Sequence, residues 1–256
     1  MKIAGLFLIV LCALRAQTFV APLAGTVVDQ RGRLTTLCGV MGNLLPPEYP
    51  SVPLALQGEA ILSAAFNANG GALKLESRLA LLDNQGSVTS VQPAPPGLAL
   101  FSFSADGAPA WVFYQNDAEL LNTSSGSAII LKESVVALGP ATATSVPLLT
   151  NSDSQLWGGT VSIPDGVFSG PNAIPGTAPA AFFQSGWLTS AGNTLLWTPL
   201  SVGITARHIA LPEPVRDIQM AAAAAVVING QWLLNARFQL LEIPGALRPT
   251  RKLKEY

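Results

Sequence analysis

One unit recurs along this chain: a short apolar run, a tight turn built on Gly, Asn, Asp or Ser, and another apolar run. Between Ile61 and Gln92 there are four such runs, "ILSAAFN", "ALKLE", "RLALLD" and "SVTSVQ". Asn69-Gly70-Gly71, Glu76-Ser77 and Asn84-Gln85-Gly86 separate them. After the spacer Pro93–Gly97 the pattern repeats from Leu98 to Lys132, with turns at Asp106-Gly107, Asn116-Asp117 and Ser125-Gly126. Phe66 and Phe103 lie 37 residues apart, and Gly70 and Gly107 keep that offset. Glycine in such turns supplies the positive φ that tight hairpins require, so each set predicts four antiparallel strands.

Later sets follow the same scheme less regularly. "SVPLLTN", "QLWGGTVSI", Asp165-Gly166 and "VFSG" make a compressed set. "APAAFFQ", "WLTSA", "TLLWTPL" and "ITARHIAL" make a full one around Ser185-Gly186 and Gly192-Asn193. The last begins in the alanine run Ala221–Ala225, turns at Asn229-Gly230 and continues through "QWLLNA" and "FQLLEIP". That run suits a helix by propensity, but Val226-Val227-Ile228 and the Asn-Gly turn favour a strand and hairpin. At the N-terminus a pair remains, "AGTVVDQ" and "LTTLCGV".

Five sets of four strands and a leftover pair, at about forty residues per set, are the arithmetic of a β-propeller. A thin twisted sheet buries neither face alone, so neighbouring blades cover one another and ring closure removes the end faces. The sequence thus predicts an all-β fold: a propeller of about six four-stranded blades, the sixth completed by joining the two chain ends. The alternative architecture is a tandem β-sandwich with its boundary near Pro140–Pro147.

The turn "FSADG" at Phe103–Gly107 resembles the F-S-x-D-G turn of WD40-like (PD40-type) propeller repeats of bacterial secreted and periplasmic proteins. "FNANGG" at Phe66–Gly71 is a weaker copy, and "VINGQWLL" and "FFQSGWLT" are weaker still. The strict Trp-Asp and Gly-His pairs are missing. The resemblance implies the propeller fold and a habit of holding partners through loops. It maps no catalytic residue onto this chain.

Residues 1–16 read as a secretory signal: Lys2, an apolar run from Ile3 to Leu14, then Ala16 before Gln17. The run falls short of the roughly 20 residues that span a bilayer, and no later segment reaches that length. Residues 17–256 then form a single propeller domain, secreted or periplasmic, without a transmembrane segment and expected to be a monomer. Loss of Lys2 and Arg15 leaves 12 basic against 15 acidic residues, a balance that excludes nucleic-acid binding by counterion release. Charged residues are 11% of the chain. The wet surface must therefore consist largely of Ser, Thr, Asn and backbone, which favours strands and turns over amphipathic helices. Cys38 is the one cysteine after Cys12 leaves with the leader, so no disulfide staples the domain. Its apolar context predicts a buried thiol.

No constellation of residues calls for catalysis. His208 is the single histidine, which rules out a His-rich metal centre, and a Ser-His-Asp triad would have to use it without a G-x-S-x-G elbow. Asp106 and Asp165 precede turn glycines, which explains them conformationally. "NSDSQ" at Asn151–Gln155 carries one acid and is a weak ion candidate. No catalytic residue, metal or cofactor is expected. The preferred reading is a non-catalytic scaffold for an unknown protein or glycan. The alternative is a propeller enzyme, a glycan hydrolase or lyase or a quinoprotein-like protein, with acids or arginines on the axis. The five tryptophans sit in apolar strand contexts that suit packing between blades; the binding candidates are Trp187, placed for partial exposure straight after the Ser185-Gly186 turn, and Arg78, Arg207 and Arg237. The basic tail Arg248–Lys254 is a candidate surface anchor.

Overall fold

The computed structural model describes residues 23–28, 33–40, 43–44, 56, 58–67, 69–83, 86–163, 165–222 and 225–244. The signal segment 1–16 and the tail Arg248–Lys254 lie outside the described residues. Five four-stranded antiparallel blades form a β-propeller. Blade I holds Ile61–Asn67 (β4), Gly70–Leu75 (β5), Arg78–Asp83 (β6) and Val88–Pro93 (β7). In blade II these are Ala99–Phe103 (β8), Pro109–Tyr114 (β9), Glu119–Asn122 (β10) and Ala128–Ile130 (β11). Blade III comprises Val135–Leu138 (β12), Ser145–Ser152 (β13), Gln155–Ser162 (β14) and Phe168–Ile174 (β15). Blade IV is built from Thr177–Phe183 (β16), Gly186–Ala191 (β17), Thr194–Pro199 (β18) and Arg207–Ala210 (β19). Ile218–Ala222 (β20), Ala225–Ile228 (β21), Trp232–Asn235 (β22) and Leu240–Glu242 (β23) complete blade V.

The blade count is five, not six. The N-terminal pair, Leu23–Val28 (β1) and Leu34–Val40 (β2), gains only Asn43–Leu44 (β3) and stays a three-stranded sheet. The last described strands do not complete it: β20–β23 form a full blade of their own. Its direction also differs. Gly25 lies against Ala221, and the Val28 amide donates to Gln219 Oε1 at 3.2 Å, so β1 runs opposite to β20. The sheet is a wedge. Val27 and Leu37 pack on Ala221, Val227 and Leu233 of blade V. Leu34 packs with Ile61, Leu73 and Leu75 of blade I. At the axis β20 and β4 lie side by side.

Each seam between consecutive blades has its own apolar cluster. Leu79, Ala99, Val112 and Tyr114 fill the seam between blades I and II. Trp111, Phe113, Val146 and Leu148 fill the next. That cluster continues across Leu138 and Ala141, so the segment near Pro140–Pro147 is a connection within blade III and not the boundary of two sandwiches. Phe183, Trp197, Val226 and Leu234 join blades IV and V. The inner strand of blade III, β12, has no counterpart among the runs legible in the sequence. The alanine run is extended where described, but it ends β20 and opens β21 rather than forming one strand.

Repetition has a direct structural consequence. The β4–β5 turn and its copy one blade later touch: Asn67 Nδ2 donates to Gly107 O at 2.6 Å, and Asn69 Nδ2 donates to Asp106 O. In the second turn Asp106 accepts from the Ser104 hydroxyl and, at 3.1 Å, from the Ala108 amide. These bonds hold its carboxyl below the usual range, the Ser104 bond contributing most.

Candidate functional site

All five inner strands run the same way, so the ring has a start face, where they begin, and an end face, where they finish. Two cavities lie on the axis. The one at the start face, about 440 Å³, is bordered by Ile61, Leu98, Ala137, Ala180 and Ile218. The one at the end face, about 370 Å³, is bordered by Asn67, Ser104, Pro140, Gln184 and Ser185. Five residues border both: Ala65, Phe101, Leu138, Phe182 and Met220, one from each inner strand. They form an apolar collar between two vestibules. Strand alternation explains the collar, because every second residue of an inner strand faces the axis at matching depth.

Polar groups in the start-face vestibule are few. Among the described residues Asp217 is the single carboxylate bordering either axial cavity. Gln219 Nε2 donates to Asp217 Oδ2 at 2.8 Å, while Gln219 Oε1 receives the Val28 amide. Gln219 thus ties the carboxylate to the N-terminal wedge. Burial pushes the Asp217 carboxyl above its ordinary value, against the opposing hydrogen bonds from Gln219 and the Ile218 amide. Glycoside hydrolysis by paired carboxylates needs two acids about 5–9.5 Å apart across the scissile bond. The axial lining supplies one.

The hairpin bordering the end-face vestibule has two consecutive residues in the left-handed region, Gln184 at φ 49° and Ser185 at φ 56°. That is the backbone of a type I′ turn. Gly186 is already strand and pairs with Phe183. Asp153 and Ser154, at φ 52° and 65°, make the same turn in blade III. The weak ion candidate at Asn151–Gln155 is therefore a hairpin corner. Among the described residues no group of three or more His, Cys, Asp or Glu side chains gathers around a common point.

The residues singled out in the sequence do not meet at one point. Trp187 is not partly exposed as expected. It is 1% exposed, sealed between blades III and IV with Leu149, Leu156 and Ile174. Its ring meets Phe182 edge-on at a centroid distance of 5.1 Å. With Gln184-Ser185 as the turn, Gly186 opens β17 and Trp187 is its second residue, with its side chain packed into the seam. Arg78 sits at the start-face end of β6, in an ion pair with Glu59. Arg207 opens β19, its guanidinium 4.4 Å above the Phe238 ring. Arg237 is exposed in the β22–β23 turn. None of the three borders either axial cavity. His208 is exposed on the outer strand of blade IV, and Cys38 is buried, as its apolar context predicts.

One polar cluster was not legible. Lys74, in the middle of an apolar strand, has no exposed surface. It donates to the carbonyls of Leu75 and, at 3.2 Å, Glu76. Burial lowers the pKa of its ammonium, with the Glu59 carboxylate opposing. Tyr114, in the apolar cluster between blades I and II, has a buried hydroxyl without a partner. Burial, with Glu119 adding to it, pushes its pKa up to about 12. A lysine between leucines reads as an exposed strand position, and only the covering blade reverses that.

No protein-family model and no curated protein matches this chain by sequence. Among solved structures it is similar to a protein of unknown function from Bacteroides caccae, at 10% identity and a TM-score of 0.52, over 87% of this chain and 93% of that one. It is also similar to a functionally unknown protein from Desulfotomaculum acetoxidans, at 13% identity and a TM-score of 0.50, over 87% and 79% of the two chains. At such identities the likeness is one of fold. Among the described residues no helix is long and apolar enough to cross a membrane.

Proposed function

We propose that this protein is an exported, non-catalytic propeller of the WD40-like repeat type that holds a protein or glycan partner through the loops of one face. The observation that carries this reading is the axial lining. Where propeller enzymes would need clustered acids or arginines, the described residues of this axis are Ala, Ser, aliphatic, Phe and amide side chains with an apolar collar and one carboxylate. Export to the periplasm or beyond is supported by the signal pattern of residues 1–16, and the repeat type by the Phe103–Gly107 turn.

The test is capture of partners from the exported fraction with the intact chain, beside a glycan array, each repeated with Asp217→Asn. Retention of the same partner by both proteins supports the scaffold. Turnover of a glycan or a quinone-dependent substrate by the wild type, lost in Asp217→Asn, overturns it.

A further inference from the structure

The connection between β18 and β19 exposes more aliphatic surface than any other loop described. Leu200 is 52% exposed, Val202 103% and Ile204 55%. They alternate with Ser201, Gly203 and Thr205, and no residue from 200 to 206 is charged. Gly203, at φ 89°, turns the tip. The base is pinned: the Leu200 amide donates to Ser185 O at 3.1 Å, and Arg207 pairs with Trp197 at the start of β19. The loop is a finger held out from the end face. Val167, 57% exposed in the β14–β15 turn, lies on the same face.

Charge on that face is segregated. Arg207, over the Phe238 ring, and the exposed Arg237 of the β22–β23 turn lie on this face in blades IV and V. The described acids of the end face, Asp83, Asp106 and Asp165, belong to the ends of strands and turns in blades I, II and III. Glu213, Asp217 and Glu242 of blade V and its approach lie toward the start face.

We propose that this finger is a membrane-docking device that inserts Leu200, Val202 and Ile204 among the acyl chains of an anionic bilayer while Arg207 and Arg237 meet the headgroup phosphates. The size of the feature separates this occupant from a protein. A stable protein interface takes about 20–30 residues a side, and a seven-residue loop supplies far fewer. A bilayer asks for no matching shape, only for apolar side chains that reach below the headgroups with cations at the headgroup level. The inference goes beyond the partner-binding reading and does not depend on it, since a propeller can lie on a membrane with or without a second ligand.

Vesicle flotation tests it, using phosphatidylcholine vesicles with and without about one-third phosphatidylglycerol. The full chain is compared with Val202→Asp and with Arg207→Gln/Arg237→Gln. All three share the same N-terminal segment, and unchanged melting temperatures show that the exposed substitutions leave the fold intact. The wild type is expected to float with the anionic vesicles, Val202→Asp to bind at least tenfold more weakly, and the double arginine variant to bind roughly twentyfold more weakly with a flattened salt dependence. Absence of wild-type binding to anionic vesicles overturns the proposal. So does Val202→Asp binding within twofold of wild type, or a dimer seen by sedimentation velocity that Val202→Asp dissolves.

Discussion

The Ser102 hydroxyl donates to the Gly139 carbonyl at 2.6 Å, a buried bond that ties the inner strand of blade II to the chain leaving the inner strand of blade III. One seam earlier, the Ser63 hydroxyl accepts from the Ala99 amide at 3.1 Å. Small hydroxyls on inner strands thus hold neighbouring blades together near the axis.

Ser102→Ala removes a buried hydrogen bond without opening a large void. The loss should be about 1–2 kcal/mol. Urea denaturation should show a lower midpoint with an unchanged slope.

The N-terminal wedge depends on close backbone approach. A Cβ on Gly25 would sit 2.7 Å from both Cβ and O of Ala221. Gly25→Val should push β1 away from β20 and cost about 1–3 kcal/mol. Limited proteolysis should then release the segment before β4 earlier than in the wild type, while Ser201→Ala, an exposed substitution in the β18–β19 loop, leaves that cleavage unchanged.

Trp187 fills the seam between blades III and IV. Trp187→Ala should lower stability by about 3–5 kcal/mol through transfer and cavity effects, read from thermal and denaturant unfolding. If the residue instead served an exposed ligand, the substitution would weaken binding and leave stability intact.

Asp217 gives a pH dependence of defined sign. Burial raises its folded pKa above the ordinary 3.8. The folded chain therefore holds this proton more tightly than the unfolded chain does. The stabilising contribution is complete below about pH 3.8 and is lost as pH rises through the raised value. Asp217→Asn should remove this decline, so its melting temperature should exceed that of the wild type at neutral pH and converge with it in acid. The amide oxygen still accepts from Gln219, which keeps the tie to the wedge.

The sequence by itself determined the hairpins. Turn chemistry and period-two alternation act over a few residues, so blades I, II and IV were readable strand by strand, and Asp106 was readable as a turn residue. The tertiary structure decided what depends on contacts between blades. It made the N-terminal pair a reversed wedge, packed between blades V and I instead of paired with the last strands. It added β12, a four-residue strand too short to show a period. It sealed Trp187 and Lys74, since a residue's exposure in a strand depends on which blade covers that face. The apolar collar of Ala65, Phe101, Leu138, Phe182 and Met220 joins residues up to 155 positions apart. No local pattern encodes that meeting, because it exists only once five strands stand at equal depth around one axis.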